Sequence, residues 1–253
     1  MKLNYKYKMT VAGHRGDSYN HYENTMEAFK AAIENGADMI ETDVRVTKDG
    51  VLVLHHDDAV NRTTDGTGLV CEKTYDELCM LNAGDKHHPI KVPTLEELFE
   101  LLKDTDVMLN LEIKEYFKEG NVENCHYCIE KSVEMAEKYN FTDKMVFNSF
   151  DAYVLEYIDE HYNGKYMLHG FYPYSIMKNV KRNPDEYLYC ACVFDDMNKE
   201  NYDYLISRNI EPWIGAGVTV KGRLKVCFEL GAKLITTNNP KDIIEKMKLE
   251  NIR

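Results

Sequence analysis

The sequence predicts an α/β fold, a closed (β/α)8 or TIM barrel with a small cap inserted after its second strand. Three observations predict it. Strand and helix signals alternate from end to end in about eight units, which favours a closed barrel over an open doubly wound sheet. The predicted strands are apolar on both faces, as parallel strands lying between a barrel interior and an outer ring of helices must be. The length, 253 residues, suits one barrel of this kind, so residues 1–253 are expected to form a single domain.

In chain order, Met9–Gly13 is predicted as the first strand and Asn24–Asn35 as a helix stopped by Gly36. The second strand starts at Met39 and turns at Lys48-Asp49-Gly50 into a return arm ending in His55-His56-Asp57-Asp58. From Ala59 to about Val92 the chain is rich in Thr, Gly, Asp and His. That segment is too long for an ordinary strand–helix loop and too short for a second domain, so it is expected to cap one end. Pro93 and the capping box Thr94-Leu95-Glu96-Glu97 open a helix running to about Lys103. Next come a strand at Val107–Lys114, a helix at Val122–Tyr139, a strand at Met145–Ser149 and a helix at Ala152–His161. Tyr166–Phe171 is predicted as a strand, Tyr174–Val180 as a short helix, Tyr187–Phe194 as a strand and Lys199–Arg208 as a helix. Glu211–Ala216 is a strand, Val220–Leu230 a helix ending at Gly231, Leu234–Thr237 the last strand and Pro240–Leu249 the last helix.

Composition bounds the function. Hydrophobic residues make up 44% and charged residues 29%, enough for a sizeable core. A net charge of −12 argues against nucleic-acid binding and against binding to anionic membranes. A phosphate-bearing ligand would need a local cationic site, most simply a metal. No apolar stretch approaches the roughly 20 residues that span a bilayer. The opening MKLNYKYKMT has lysines with no apolar run behind them, and the seven cysteines are scattered. Both features fit a cytoplasmic protein in a reducing compartment, with no stable membrane insertion.

Charge falls on the apolar strands in a regular way. Glu41, Asp43 and Arg45 alternate with Ile40, Thr42, Val44 and Val46, so the three share one face. Asn110, Glu112 and Lys114 do the same opposite Leu109, Leu111 and Ile113. Barrel active sites lie at the C-terminal ends of the strands. Those ends supply His14-Arg15-Gly16, the two acids of strand two, His55-His56-Asp57 and Asn148-Ser149. A buried carboxylate is costly unless paired, so Glu41, Asp43 and Glu112 need a counter-charge that Lys114 and Arg15 supply only in part. Three facing carboxylates suit a hard divalent cation bound through oxygen, Mg²⁺ or Ca²⁺. Histidines beside such a site suit proton transfer, because imidazole titrates near neutral pH. Alternation places His56 with Leu52 and Leu54, and His55 with Val51 and Val53; it leaves open which histidine faces the acids.

With these residues stand His14-Arg15-Gly16, Glu23-Asn24-Thr25, Ala28-Phe29, residues 36–44 (GADMIETDV), Thr47-Lys48-Asp49-Gly50, His56-Asp57, residues 62–68 (RTTDGTG), Pro93-Thr94-Leu95-Glu96-Glu97 and Leu111-Glu112-Ile113-Lys114. Weaker echoes follow at residues 148–151 (NSFD), Trp213, Gly231-Ala232 and residues 235–237. In this ordered set, dense over residues 11 to 115 and thin afterwards, the sequence resembles the glycerophosphodiester phosphodiesterases. The resemblance implies the barrel with its insertion, and hydrolysis of a small glycerophosphodiester to sn-glycerol 3-phosphate and an alcohol. It implies Glu41, Asp43 and Glu112 as metal ligands, and His14 and His56 as the acid/base pair. Arg15 and Lys114 become the phosphate-binding residues. The attacking group is the glycerol 2-hydroxyl or water. A homodimer is compatible with all of this.

Three positions depart from the family's pattern. Tyr22 replaces a proline before Glu23. Ile214-Gly215-Ala216 replaces Thr-Val-Asn, and Asn238 replaces an aspartate after Thr237. The last two fall in the far half of the barrel and are expected to affect the alcohol side more than the chemistry. Related readings are a phosphodiesterase of lysophospholipids or glycerophosphoinositol, and a non-catalytic phosphoester-binding barrel. An amidohydrolase would show His-x-His on the first strand, where this chain has His14-Arg15. Tyr116, Phe117, Phe171 and Tyr172 follow strand ends and are placed to line a pocket, with a choline head group as one occupant. Cys125-His126-Tyr127-Cys128 and Cys190-Ala191-Cys192 read as core, and Gly215-Ala216-Gly217 is too short for a phosphate loop.

Overall fold

The structure is a computed structural model that describes residues 2–119, 122–194, 196–216 and 223–253. The apolar runs form β1 (Thr10–His14), β2 (Met39–Val46), β3 (Leu52–Leu54), β4 (Met108–Ile113), β5 (Met145–Asn148), β6 (Leu168–Tyr172), β7 (Cys190–Val193), β8 (Glu211–Ile214) and β9 (Leu234–Thr237). All except β3 run parallel, and β1 pairs with both β2 and β9, so eight staves close into a barrel. β3 is the antiparallel return arm of the Lys48-Asp49-Gly50 turn, with Val44 opposite Leu54 and Val46 opposite Leu52. Closure lays the last strand along the first, Thr10 beside Leu234 and Gly13 beside Thr237.

The helices are α1 (Met26–Glu34), α2 (Tyr75–Cys79), α3 (Leu95–Leu102), α4 (Val122–Lys138), α5 (Ala152–His161), α6 (Lys199–Ser207), α7 (Arg223–Leu230) and α8 (Pro240–Leu249). Thr94 and Glu97 make the expected capping box of α3, each side chain bonding the other's backbone N–H. The start of the helix expected from Val220 lies outside the described residues. The helix expected over Tyr174–Val180 is instead one 3-10 turn, Tyr174–Ile176. Its backbone groups go elsewhere: Lys178 N–H donates to Phe150 O (2.8 Å), and Lys178 O accepts from Ala152 N–H (2.9 Å). Asn179, in the left-handed region at φ 52°, donates its amide to Asp151. That corner ties β6 to the start of α5 and leaves no continuous helical ladder.

Side chains segregate by strand period. One residue from each stave region, Ala12, Met39, Met108, Val146, Met167, Cys190, Trp213 and Leu234, fills the lower interior, and Leu3 joins that layer. The alternate residues, among them Val11, Ile40, Val44, Leu109, Leu111 and Ile113, face outward into a larger core shared with Phe29, Phe99 and Ile129 of the helices. Two residues further along the staves the interior turns polar, so the charged positions of β2 and β4 stand at the upper end. Residues 59–92 form two 3-10 turns (Val60–Arg62 and Val70–Glu72) and α2 around their own cluster, which includes Val60, Val70, Leu78 and Val92. Tyr22 bonds Asp85 (2.9 Å) and Glu27 pairs with His88 (2.8 Å), tying this segment to the loop and helix that follow β1. No helix among the described residues is long and apolar enough to cross a membrane.

Candidate active site

Register builds the acidic centre. β1 and β2 place His14 beside Glu41, and β2 and β4 place Asp43 beside Glu112. Glu41, Asp43 and Glu112 are 4%, 1% and 5% exposed, and one carboxylate oxygen of each lies within 4.8 Å of the others. Lys114 Nζ stands 2.6 Å from Glu112 Oε1 and 3.3 Å from Asp43 Oδ1. Arg15 Nε stands 3.3 Å from Asp43 Oδ2.

Burial and its two acidic neighbours push Glu41 well above the usual carboxylate range. Burial also raises Glu112, against the pull of Lys114. Burial acts the same way on Asp43, but Lys114, Arg15 and His56, helped by the Asn24 amide, outweigh it and hold that carboxyl low. Burial pulls the Lys114 ammonium down, and Glu112 and Asp43 more than reverse it. Two cations among three buried carboxylates leave an acidic surplus. Asp43 Oδ1 also makes no hydrogen bond. A buried, oxygen-only, under-compensated cluster fits a hard divalent cation.

The β1–α1 loop explains the motif that follows β1. Arg15 sits in the left-handed region at φ 56°, and its N–H donates to Glu41 O (2.8 Å) and Glu41 Oε2 (3.0 Å). Gly16 follows at φ 84°, where a Cβ would stand 2.5 Å from the Ala28 carbonyl carbon of α1. Asn24, also left-handed, donates to Asp43 Oδ2 (2.9 Å) and accepts from Thr42 Oγ1 (2.8 Å). Thr25 caps α1 by accepting from Ala28 N–H. Arg45, the third charge on β2, donates to the backbone carbonyl of His56 through Nε (3.0 Å) and a terminal nitrogen (2.9 Å).

Hydrogen bonds separate the histidines that alternation left equivalent. His55 is buried with both ring nitrogens engaged, Nδ1 by Asp57 O and Nε2 by Thr63 Oγ1, each at 2.8 Å. His56 is half-buried and binds Asp57 Oδ1 through Nδ1 at 2.6 Å, which leaves Nε2 for chemistry. His14 Nε2 lies 3.9 Å from Glu41 Oε2, while Nδ1 lies 2.5 Å from Asn238 Oδ1. An amide oxygen only accepts, so Nδ1 carries the proton and Nε2 is bare. Burial lowers the pKa of both His14 and His56.

The structure brings all seven predicted site residues to one end of the barrel. It adds Glu23, Asn24, Asp57 and Arg62, which had been quoted as motif letters without roles, and Asn238. The expectation that Asn238 lies on the far half is corrected: closure of β9 onto β1 puts that departure in contact with His14. The aromatic expectation is also revised. Tyr116 reaches the acids, its hydroxyl 3.2 Å from Glu112 Oε1, but Lys178 and Lys181 already lie over the rings of Tyr116 and Phe117 (5.0 and 5.8 Å). Those faces do not form a cage for a quaternary ammonium. Phe171 stacks on Phe150 with centroids 3.5 Å apart, and Phe194, 56% exposed, flanks both. Cys125, Cys128, Cys190 and Cys192 are buried and unpaired, and burial pushes Cys125 up to about 12. Gly217 lies outside the described residues.

A model of the glycerophosphoryl diester phosphodiesterase family matches residues 14–206. A glycerophosphodiester phosphodiesterase of Caldanaerobacter subterraneus subsp. tengcongensis is 44% identical over 152 residues, 58% of this chain and 60% of that one. A Bacillus altitudinis glycerophosphodiester phosphodiesterase is 34% identical over 191 residues, 70% of each chain. The chain thus spans about 60% of the length of the first of these curated relatives. Among solved structures, glycerophosphodiester phosphodiesterase from Agrobacterium tumefaciens superposes with a TM-score of 0.78 at 20% identity, covering 94% of this chain and 99% of that chain. A phosphodiesterase of Oleispira antarctica, solved with the product sn-glycerol-3-phosphate, has a TM-score of 0.80 at 22% identity, covering 94% and 96%. Both superpositions speak for the fold, a parallel (β/α)8 barrel.

Proposed function

The chain belongs to the glycerophosphoryl diester phosphodiesterase family, and from that premise we propose that it hydrolyses glycerophosphodiesters to sn-glycerol 3-phosphate and an alcohol. In this reading residues 1–253 act as one domain, and residues 59–92 cap the catalytic end. The observation that carries the reading is the meeting of three buried acids, two cations and two histidines with free Nε2 atoms at one end of the barrel. The product bound by the Oleispira neighbour is the one expected here.

Glu41, Asp43 and Glu112 are the residues that would hold the cation, Mg²⁺ or Ca²⁺. Once bound, it supplies positive charge against the phosphate. Arg15 and Lys114, then less needed by the carboxylates, bind the anionic phosphate oxygens that otherwise repel a nucleophile. The attacking hydroxyl, whether the substrate's own 2-hydroxyl or water, gives its proton to one imidazole. The departing alkoxide takes a proton from the other, which must enter this step as the imidazolium with a second proton on Nε2. Asn238 and Asp57 accept from the two Nδ1–H groups and so present both Nε2 atoms for this exchange. The test is release of glycerol 3-phosphate from glycerophosphocholine and glycerophosphoethanolamine, with Mg²⁺, with Ca²⁺ and with chelator. No release under any condition sinks the proposal, and calorimetric binding without turnover would make this a phosphoester-binding barrel.

The exposed Phe194 beside Phe150 and Phe171 favours a second reading of the alcohol side, in which an apolar alcohol such as a lysophospholipid is accepted. The Phe150 ring lies 5.9 Å from Lys114 Nζ, next to the phosphate site. Lysophosphatidylcholine competing against glycerophosphocholine tests it. A preference for the deacylated diester rejects it.

A further inference from the structure

Arg62 stands on no barrel stave, yet it joins two sides of the site. Its Nε donates to Asp57 Oδ2 (2.6 Å), and its two terminal nitrogens donate to Glu23 Oε2 (2.8 Å) and Oε1 (2.7 Å). One terminal nitrogen also reaches Asp57 Oδ1 at 3.3 Å. Four of its five N–H groups are thereby committed to two carboxylates, which leaves little for a phosphate. Each carboxylate passes the restraint on. Asp57 Oδ1 holds His56 Nδ1 at 2.6 Å, and Glu23 Oε1 holds Arg15 at 2.7 Å, whose Nε faces Asp43.

We propose that Arg62 is a positioning residue that fixes His56 and Arg15 together, so that the first turn of the 59–92 segment completes the catalytic end of the barrel. Clamped on both oxygens, Asp57 cannot rotate away from His56, and the ring keeps its proton on Nδ1. Glu23, held by two guanidinium groups, keeps Arg15 from swinging into solvent. The next residue, Thr63, bonds His55 Nε2, so two consecutive residues of the segment brace the backs of both adjacent histidines. Arg62 holds the Asp57 carboxyl well below its ordinary value, as expected for a carboxylate gripped by a guanidinium. A lysine could not replace it, because one ammonium cannot clasp two carboxylates in fixed planes.

The inference rests on the proposed hydrolysis for the roles of His56 and Arg15, and its test has a readout that does not need turnover. The ring-nitrogen NMR signals of His56, assigned by their loss in His56→Gln, report its tautomer. In the unsubstituted protein the neutral ring is expected to carry its proton on Nδ1; in Arg62→Ala and Arg62→Lys it is expected to mix tautomers. In steady-state kinetics Arg62→Ala should lower kcat about 10- to 100-fold, the range for losing a group that orients a catalytic one, and Arg62→Lys should not restore it. Because Arg62 acts through Asp57 and Glu23 together, adding Arg62→Ala to the pair Asp57→Asn and Glu23→Gln should lose no more than about 2-fold beyond that pair, where independent losses would multiply. Thermal melts of Arg62→Lys and Arg62→Gln separate lost positioning from lost fold. An unchanged His56 tautomer in a folded Arg62 variant overturns the inference, as do multiplying losses. If the unsubstituted protein cuts no diester, the proposed function fails while the tautomer still decides the role of Arg62.

Discussion

Glu41 is buried among like charges, so ionising it strains the metal-free protein. Its folded value lies above the ordinary 4.5, so between the two values the folded chain holds more protons than the unfolded one. The stability this group contributes is therefore full below the ordinary value and is lost as pH rises through the raised one. Buried histidines such as His14 and His56 act in the opposite sense, so the readout is a difference. With chelator present, the urea-unfolding stability of the protein relative to Glu41→Gln should fall from mildly acid to neutral pH, and a difference that does not change with pH refutes the burial argument. A cation must displace the same proton, so Mg²⁺ affinity should weaken toward acid pH. His14 separates chemistry from binding. His14→Ala should cost turnover about 10²- to 10⁴-fold, the usual weight of an acid/base group, while calorimetric metal affinity stays nearly unchanged. Glu112→Ala should lose both. Near-normal rates in His14→Ala would end the acid/base assignment. Glu41 and Glu112 were readable from sequence, because a period of two on an apolar strand marks a buried charged face without reference to any other segment, and His14 because it ends the first strand. Their supports were not: what Asp57 and Arg62 hold depends on where the 59–92 segment lies in space.

Among the elements, the β1–α1 loop carries the tightest constraint near the site. Gly16 has both a left-handed backbone and the Ala28 backbone in the place of a Cβ. Gly16→Ala should cost at least about 1 kcal/mol for the backbone conformation alone, with a further penalty as α1 is pushed off β1. Urea unfolding measures the loss, and calorimetry should show metal affinity falling with it, since Arg15 N–H holds Glu41 Oε2. Unchanged stability would show that the loop has slack. Element order was legible in the sequence for a physical reason: each stave is a local apolar run bounded by turn or cap residues. Several boundaries were not: the strand expected from Tyr187 begins at Cys190 and the one expected from Tyr166 begins at Leu168, and two further departures have a visible cause. α1 begins at Met26 rather than Asn24, because Asn24 spends its amide on Asp43 and Thr25 takes the cap. The segment after β6 turns instead of coiling, because Asp151, more than twenty residues earlier, captures Asn179. In both places a side chain from another element outbid the local propensity.

Across the whole molecule, closure decides what meets. His14 and Asn238 are separated by 224 positions and lie 2.5 Å apart, because β9 and β1 are neighbouring staves. Counting strand–helix units reveals that a barrel closes; it does not reveal which loop residue then touches the first histidine. Closure also divides labour along the barrel axis. Charges and histidines gather at the C-terminal ends of the staves, while the other end is filled by one apolar residue per stave and by Leu3. Leu3 is 6% exposed and packs in the layer that contains Trp213, fully buried on β8. Leu3→Ala should therefore cost about 2 kcal/mol, the low end for a buried leucine, because a segment outside the staves can settle into part of the space it leaves. Leu3 packs at the end of the barrel opposite the acids and histidines, which begin one interior layer above its own, so kcat on a glycerophosphodiester should not change. Urea unfolding and steady-state kinetics on the same variant decide the matter. A fall in kcat with stability intact would mean that the lower layer transmits strain to the acidic centre and that the two ends of the barrel are not independent.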